Sequence, residues 1–279
     1  MSYTFIPIRT DDQTIKKIAE FLCMVFPKST KYSEAYITWQ YKNNPDGEAI
    51  GYNAYENGNI VAHYAVIPFN ALVFNKHEMG VLSINTATHP NHQGKKIFTT
   101  LAELTYKLAQ ERGYAFVIGV ANANSTPGFV NKLGFQFVGT LEAKLGFGKI
   151  DFLENNSTIE FSKIWNQKSI EWRLANPETK YTIKNNTAYA ATEKPGIRAL
   201  LIDTEGIIPL FNTINFRRRP MNVWIGINNS MNWKRSFYFN IPHFLRPSPL
   251  NFIFKDLTPQ NRKLELNKIH FTAFDFDAY

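Results

Sequence analysis

The stretch VLSINTATHPNHQGKKIFTTLAELTYKLAQERG, residues 81–113, places a strand, a polar loop and an amphipathic helix in direct succession. Residues 81–88 are β-branched, apolar or small, which predicts a buried strand, and Pro90 ends it. Gly113 stands where a glycine commonly closes a helix. One helical face is predicted by the spacing of the apolar residues Ile97, Leu101, Leu104 and Leu108.

A strand that leads through a glycine-containing loop into a helix is typical of an anion site. Backbone N–H groups and the positive end of the helix dipole converge there, and Lys95 and Lys96 add positive charge. The chain has neither G-x-x-x-x-G-K-[ST] nor a G-x-G-x-x-G after a strand. The loop therefore predicts a phosphate-bearing ligand, but neither a P-loop nor a dinucleotide-binding fold.

The same loop resembles the acetyl-CoA loop of the GNAT N-acyltransferases, whose signature is Arg/Gln-x-x-Gly-x-Gly/Ala. Gln93 stands at its first position, and Gly94 at a glycine common just after it. Lys96 and Phe98 replace the signature glycine and the following Gly/Ala. The resemblance spans residues 60–138 and includes a downstream segment similar to the family's Asn-x-x-Ala-x-x-Phe-Tyr-x-Lys-x-Gly-Phe. In register with that segment are Asn124, Phe129, Lys132, Gly134 and Phe135.

This resemblance implies an α/β (α+β) fold with a mixed, mostly antiparallel sheet flanked by helices. It also implies acetyl-CoA or another acyl-CoA as cosubstrate, without a metal, and with pantetheine in the gap between strands 81–88 and 114–120. Lys96 would contact a phosphate if its backbone needs no positive φ, and would impair binding if it does. The implied cofactor-binding residues are Thr86, Ala87, Thr88, Gln93, Gly94, Lys95, Lys96, Ile97, Phe98, Thr99 and Asn124.

Acyl transfer to an amine requires a group that removes the amine proton and a donor for the leaving thiolate. His63, on a predicted strand over residues 60–66, is the first candidate base, and His89, beside the loop, is the second. A satisfied strand histidine and an ordinary loop histidine are the alternatives. Val130 occupies the position of the family's acidic tyrosine, which leaves Tyr64, Tyr106 or a tyrosine from the second half as replacements, and the sequence selects none of them.

Composition limits the remaining possibilities. A chain of 279 residues with 44% hydrophobic content predicts a globular protein of two domains. It has no apolar run long enough to span a membrane and no secretory signal, which together with the single cysteine predicts a cytoplasmic protein. Cys23 is predicted to be a buried structural thiol, and no metal site is predicted.

The net charge of +8 suits an anionic cofactor as well as it suits nucleic acid. The dense basic run Arg217–Arg219 is interpreted as a solvated helix end, because no stacking aromatics alternate with it. No nucleic-acid partner is therefore expected. Asp275 and Asp277, near the end of the sequence, are expected to face solvent.

Two segments of the chain resemble each other and indicate an internal repeat. ITWQYKNNP, residues 37–45, matches IEWRLANP, residues 170–177, apart from one inserted residue. Each follows a helical pattern, over residues 33–41 and 164–174, and strands come after both. A helix is predicted over residues 206–216, but residues 203–206 are acidic and do not suit phosphate. We therefore predict an acyl-CoA-binding GNAT domain at residues 1–150 and a degenerate GNAT-like unit at 151–279.

The predicted activity is N-acyl transfer, most simply acetyl transfer, from acyl-CoA to a primary amine. The Trp-Asn-Pro pattern with LRPSPLNFIFKDL and FDFD resembles GNAT-like proteins associated with cell-surface polysaccharide synthesis. That resemblance implies an amino sugar or sugar nucleotide as acceptor; a small amine or amino acid is the alternative. A non-catalytic binding protein and an aminoacyl-tRNA-dependent transferase stay open, as does the oligomeric state.

Overall fold

The computed structural model describes residues 2–148, 150–152, 158–184, 187–192, 194–203 and 220–278. The predicted helix at 206–216 and the basic run at 217–219 lie outside these residues. The helices in the described ranges are α1 (Asp12–Val25), α2 (Glu34–Tyr41), α3 (Ile97–Glu111), α4 (Gln167–Leu174) and α5 (Ala273–Phe276). No described helix has the length and apolar character needed to cross a bilayer.

Strands make up most of the remaining described structure. In chain order they are β1 (Thr4–Pro7), β2 (Ile50–Glu56), β3 (Asn59–Val73), β4 (Lys76–Thr88), β5 (Phe116–Ala121), β6 (Gln136–Thr140), β7 (Glu142–Phe147), β8 (Asp151–Phe152), β9 (Phe161–Lys163), β10 (Tyr181–Lys184), β11 (Thr187–Ala191), β12 (Ile197–Asp203), β13 (Met221–Asn228), β14 (Met231–Asn232), β15 (Phe237–Asn240), β16 (Asn251–Asp256) and β17 (Ile269–Thr272). Fifteen of these described strands form one sheet, and most of its pairs are antiparallel, which confirms the predicted fold class.

The opening strand–loop–helix unit folds as its residues predict. β4 ends at Thr88, α3 begins at Ile97, and Gly113 follows α3 with a φ of +82°. The buried face of α3 carries Ile97 and Leu101, so its apolar stripe packs on the sheet and its polar stripe faces solvent.

The two halves of the chain exchange a strand. β16, from the second half, lies between β5 and β6 of the first half and pairs antiparallel with both. β7, from the first half, lies between β13 and β15 of the second half in the same way. The domain division at residue 150 stays a prediction, but each half completes the sheet of the other.

The repeated segments pack against each other with reciprocal contacts. The rings of Trp39 and Trp172 stack with centroids 4.7 Å apart. Each indole N–H donates to the backbone oxygen of the other, at 2.6 Å from Trp39 and 2.8 Å from Trp172. In both repeats the asparagine before proline, Asn44 or Asn176, accepts from the backbone N–H two residues on. This local two-fold relation supports an internal duplication.

Three side chains lie where the sequence did not predict them. Cys23 is exposed, since the buried face of α1 runs through Ile15, Ile18, Ala19 and Leu22 and the next position turns away. The prediction of a buried thiol was therefore wrong. Asp275 and Asp277 are buried, at 5% and 6% exposure, and not solvent-facing, because residues distant in sequence supply their partners.

Candidate functional site

The central strands separate at one point of the sheet. β4 and β5 are paired in parallel through Val81, Leu82 and Ser83, and the ladder ends at the Ser83–Gly119 pair. β4 nevertheless continues to Thr88 and β5 to Ala121. Among the described residues no β4–β5 pair continues beyond this point, and we call the opening the strand gap. Such an opening can accept an extended ligand that pairs with the exposed backbone.

A bulge in β4 shapes the edge of the strand gap. The register between β3 and β4 shifts between His63 and Ala65, and Asn85, opposite the shift, has a φ of +46°. The Asn85 amide group donates to Gln40 Oε1 at 2.6 Å and to Tyr41 Oη at 3.1 Å. Side chains of α2 therefore hold the bulge in place.

The strand gap opens into a cavity of about 380 Å³, here called the gap cavity. Its lining combines backbone of both strands with apolar side chains from several parts of the chain. These residues are Phe26, Tyr32, Ser83, Ile84, Asn85, Thr86, Gly119, Val120, Ala121, Asn122, Ser125, Phe129, Leu250 and Ile253. Leu250 and Ile253 come from in and beside the exchanged strand β16, so the second half completes this wall.

A second cavity of about 410 Å³, the corner cavity, lies where the loop turns into α3. It is lined by Thr88, His92, Gln93, Gly94, Lys96, Ile97, Phe98, Thr99, Glu103 and Lys132. Among the described residues no side chain caps the start of α3. The first turn of α3 thus has no capping oxygen among the described side chains, and its residues Ile97, Phe98 and Thr99 line the corner cavity, as an anion site requires.

The backbone of the loop takes up the conformation that glycine favours. Gly94 has a φ of +76°, and a side chain added there would meet no atom within 4 Å. Lys96, at the position of the signature glycine, has a φ of +61° and is the N-cap of α3. The loop does need a positive φ at this position, which is the case for which impaired binding was expected. The lysine nevertheless adopts this φ, at a backbone cost of about 1 kcal/mol, so the loop keeps the conformation that a glycine would give it. The lysine side chain remains exposed and lines the corner cavity.

The charges around the corner cavity favour an anion. Lys96 and Lys132 are the cations in its lining, and Glu103 is the anion. His92 is held in place by Tyr3, whose hydroxyl lies 3.0 Å from Nδ1, and its Nε2 lies 3.9 Å from a Glu56 carboxylate oxygen. Two lysines and the helix dipole outweigh the single glutamate, so a diphosphate suits the cavity.

His63 lies inside the protein and not on the wall of the gap cavity or corner cavity. Its side chain is fully buried, its Nε2 lies 2.7 Å from Tyr41 Oη, and its Nδ1 lies 2.7 Å from Asn53 Oδ1. Burial lowers the pKa of His63 to about 3. Its role as a base stays a prediction, and the contacts favour a neutral histidine that orients Tyr41 and, through it, Asn85.

His89 and the remaining predicted residues are placed as follows. His89 is half-buried, and its Nδ1 accepts from the backbone N–H of Asn91 in a short 3₁₀ turn. Thr86 lines the gap cavity, and Thr88, Gln93, Gly94, Lys96, Ile97, Phe98 and Thr99 line the corner cavity. Three of the predicted cofactor-binding residues line neither cavity: Ala87 is buried, Lys95 is exposed, and Asn124 lies in an exposed turn.

A chain of hydroxyl groups reaches the strand gap from the core. Tyr64 Oη donates to Ser83 Oγ at 2.9 Å and lies 2.7 Å from Tyr106 Oη. Ser83 lines the gap cavity at the end of the β4–β5 ladder. Burial raises the pKa of both tyrosines, so they stay protonated at neutral pH. Of the sequence candidates for a proton donor, Tyr64 has this link to the cavity.

A smaller cavity of about 170 Å³, the side cavity, shares Ser83, Ile84, Asn85 and Val120 with the gap cavity. The rest of its wall comes from Lys31, Tyr36, Gln40, Leu82 and Phe276. Tyr36 Oη donates to Asp277 at 2.8 Å and accepts from the Gln40 amide group at 3.0 Å. The side cavity thus reaches the same point of the strand gap from another direction.

Asp277 ties the end of the described chain to this wall. Burial alone would raise the pKa of Asp277, but Lys31 and Arg173, each 3.2 Å from the carboxylate, hold it below its usual value. Asp277 is therefore an anion engaged by two cations, which suits a structural clasp better than a base. Sequence reasoning missed this role, because its partners lie more than 100 residues away.

Comparisons with known proteins agree with this geometry. Residues 7–138 match the profile of the Acetyltransferase (GNAT) domain. No curated protein sequence matches the chain. Among the described residues no group of three or more His, Cys, Asp or Glu side chains could hold a metal ion.

Solved structures with a similar fold cover most of the chain. One is a probable N-acyltransferase from Enterococcus faecalis V583, with 8% identity, 92% of this chain and 73% of that chain covered, and a TM-score of 0.58. A GCN5-related N-acetyltransferase from Anabaena variabilis ATCC 29413 has 10% identity, coverage of 91% and 73%, and a TM-score of 0.56. N-myristoyltransferase from Saccharomyces cerevisiae with bound myristoyl-CoA has 11% identity, coverage of 94% and 87%, and a TM-score of 0.57. At these identities the likeness concerns the fold.

Proposed function

We propose that the protein moves an acyl group from acyl-CoA to a primary amine, because residues 7–138 match the profile of the Acetyltransferase (GNAT) domain. The observation that carries this proposal is the uncapped start of α3 beside the strand gap. The start of α3 can bind a diphosphate, and the strand gap can bind an extended pantetheine chain. Thr88 lines the first cavity and Thr86 the second, so β4 runs along both.

The proposed cosubstrate contacts follow from the lining of the two cavities. The diphosphate lies against the N–H groups at Gly94 and the first turn of α3, with Lys96 and Lys132 supplying charge. Pantetheine extends along β4 between Thr88 and Thr86, where the strand has backbone groups open to the gap. The acyl group then lies beside the bulge at Asn85, against the apolar wall of Leu250 and Ile253.

The transfer needs three contributions, and the strand gap has a candidate for two of them. Backbone N–H groups beside the bulge stabilise the charge that develops on the thioester oxygen. Ser83, which accepts a hydrogen bond from Tyr64, donates a hydrogen bond to the leaving thiolate in place of the tyrosine that Val130 replaces. The thiolate leaves as the anion and takes its proton from solvent. The third contribution, removal of the amine proton, falls to solvent in the side cavity. His63 contributes indirectly, because it holds Tyr41, and Tyr41 holds Asn85 at the bulge.

The acceptor approaches through the side cavity, which has amide, hydroxyl and ammonium groups in its wall. Such a wall suits a polar amine, and an amino sugar or sugar nucleotide is the acceptor we propose; a small amine or an amino acid is the second candidate. Acyl-CoA as cosubstrate favours the cytoplasm as the place of action.

Calorimetry with acetyl-CoA, followed by an assay of free-thiol release with a panel of amines, tests the proposal. Micromolar binding and amine-dependent release of CoA thiol are expected. Binding without turnover for any amine would favour a non-catalytic binding protein. Absence of binding at millimolar acetyl-CoA would overturn the proposal, and salt-sensitive affinity for aminoacyl-tRNA would then favour the tRNA-dependent alternative.

A further inference from the structure

Five large apolar side chains stand exposed around the edge strand β15 and form what we call the aromatic patch. They are Phe147 (51% exposed), Phe237 (63%), Phe239 (71%), Phe244 (84%) and Leu245 (64%). Apolar residues scattered singly on a surface need no explanation, but five exposed ones on one edge strand, its neighbour and the turn that follows indicate an interaction site.

The register of the sheet brings three residues of the aromatic patch, Phe147, Phe237 and Phe239, to one face. Phe237 is paired with Phe147 across β15 and β7, and their rings stack with centroids 5.1 Å apart. Phe239 is paired with Leu145 and, two residues from Phe237, points to the same face. Phe244 and Leu245 lie in the short 3₁₀ turn that follows β15. Between β15 and this turn, the backbone N–H of Ile241 donates to the backbone oxygen of Ala143 on β7.

Basic residues border the aromatic patch. Lys234 and Arg235 lie in the turn that leads directly into β15, and both are exposed. Arg246 follows Leu245 and donates through Nε to the backbone oxygen of Ile241. The strand itself carries no charged residue, and Glu142, the nearby acid on β7, is paired with Lys144. The patch is therefore an apolar centre with a basic border.

We propose that the aromatic patch binds the surface of an anionic membrane. Phenylalanine and leucine side chains enter the boundary between headgroups and acyl chains, while the exposed Lys234 and Arg235 contact lipid phosphates. The charge favours this partner over a second copy of the chain, because two copies would bring like basic borders together on a background of +8 each. The apolar side chains also project from the face of the sheet and not along the open edge of β15.

The position of the aromatic patch connects it with the strand gap. Residues 246–249 lead from the patch to Leu250, which lines the gap cavity. The backbone N–H of Ala123, beside the gap-lining Asn122, donates to Ser248 Oγ at 3.1 Å. A membrane under the patch therefore lies close to the mouth of the gap cavity. This inference stands without the proposed activity, since it depends only on exposed side chains and charge.

Flotation with lipid vesicles tests the inference on the full chain. Vesicles of phosphatidylcholine mixed with phosphatidylglycerol are expected to carry the protein upward, whereas pure phosphatidylcholine vesicles are not. The double variant F237S/F239S loses flotation, and K234Q/R235Q, which removes two positive charges, weakens partition by about 30-fold. Phe137→Ser, which changes a phenylalanine that is 47% exposed on β6, is the matched control and keeps flotation.

Two outcomes would overturn the inference. One is equal flotation of the wild type and F237S/F239S when circular dichroism shows both to be folded. The other is absence of flotation together with a dimer in sedimentation velocity that F237S/F239S dissociates, which would assign the patch to self-association. Acetyl-CoA affinity, measured on the same variants, is expected to stay unchanged, so a failure here is distinguishable from a failure of the proposed activity.

Discussion

Replacing Gly94 with aspartate places a carboxylate at the turn where the diphosphate is proposed to bind. Gly94 has a φ of +76° with no atom within 4 Å of an added Cβ, so the side chain enters the corner cavity without a clash. Aspartate tolerates this backbone region better than most residues. The change therefore acts on charge, with little effect on packing.

The magnitude follows from Coulomb's law. We take a diphosphate with about two negative charges, roughly 6 Å from the new carboxylate. At an effective dielectric constant between about 40 and 80, the repulsion is ~1.5–3 kcal/mol. Acetyl-CoA affinity should fall by about 10- to 100-fold. The loss should shrink as salt is raised, because both groups are exposed to solvent.

Calorimetry on three variants separates charge from conformation. Gly94→Asn has the shape of the aspartate without its charge and is expected to bind acetyl-CoA nearly as the wild type does. Gly113→Asp is the matched control, since Gly113 has a φ of +82°, is equally open and lies at the other end of α3. Unchanged affinity in Gly94→Asp, or an equal loss in Gly94→Asn, would refute the electrostatic reasoning.

Three further predictions concern the core. Burial lowers the pKa of His63 from 6.5 to about 3, so the unfolded state binds more protons than the folded state between these pH values. The free energy of unfolding therefore falls as the pH drops, by up to about 1.4 kcal/mol per pH unit. Urea titrations of His63→Gln should lack this slope, and those of the exposed His77→Gln should keep it. Tyr64→Phe should lower kcat by about 10- to 100-fold in the thiol-release assay without changing acetyl-CoA affinity. Trp39→Phe and Trp172→Phe should each lower the free energy of unfolding by about 1–3 kcal/mol, because each removes an indole hydrogen bond to the other repeat and replaces a stacked indole with a smaller ring.

Each of these predictions has a contradicting result. Parallel pH slopes for His63→Gln and the wild type would mean that the buried histidine is not the source of acid sensitivity. A wild-type kcat in Tyr64→Phe would remove the hydroxyl chain from the transfer step. Unchanged stability in both tryptophan variants would show that the reciprocal bonds contribute nothing beyond ring stacking.

Local signals predicted the strand–loop–helix unit because its determinants are close in sequence. The β-branched run before Pro90, the apolar spacing from Ile97 and the terminal Gly113 each act within a few residues, and the structure confirms all three. The Trp-Asn-Pro repeat was visible for the same reason. Its two copies then proved to contact each other, which repetition in sequence does not reveal.

What the sequence did not predict depends on contacts between distant residues. The exchange of β7 and β16 brings Ile253 to the strand gap, more than 130 residues after Gly119. His63 stood out as a base by its chemistry, but its burial depends on Tyr41 from a separate helix. The sequence places Lys96 at the position of a signature glycine, but its φ of +61° is a property of the folded loop. Burial and backbone conformation are properties of the assembled sheet, so periodicity alone does not encode them.

The most direct test of the account is a crystal structure of the protein soaked with acetyl-CoA. We expect the diphosphate within hydrogen-bonding distance of the backbone N–H groups at Gly94 and the first turn of α3, and pantetheine in the strand gap beside Thr86. Density for the cosubstrate anywhere else, with these amide groups bound to solvent alone, would contradict the account.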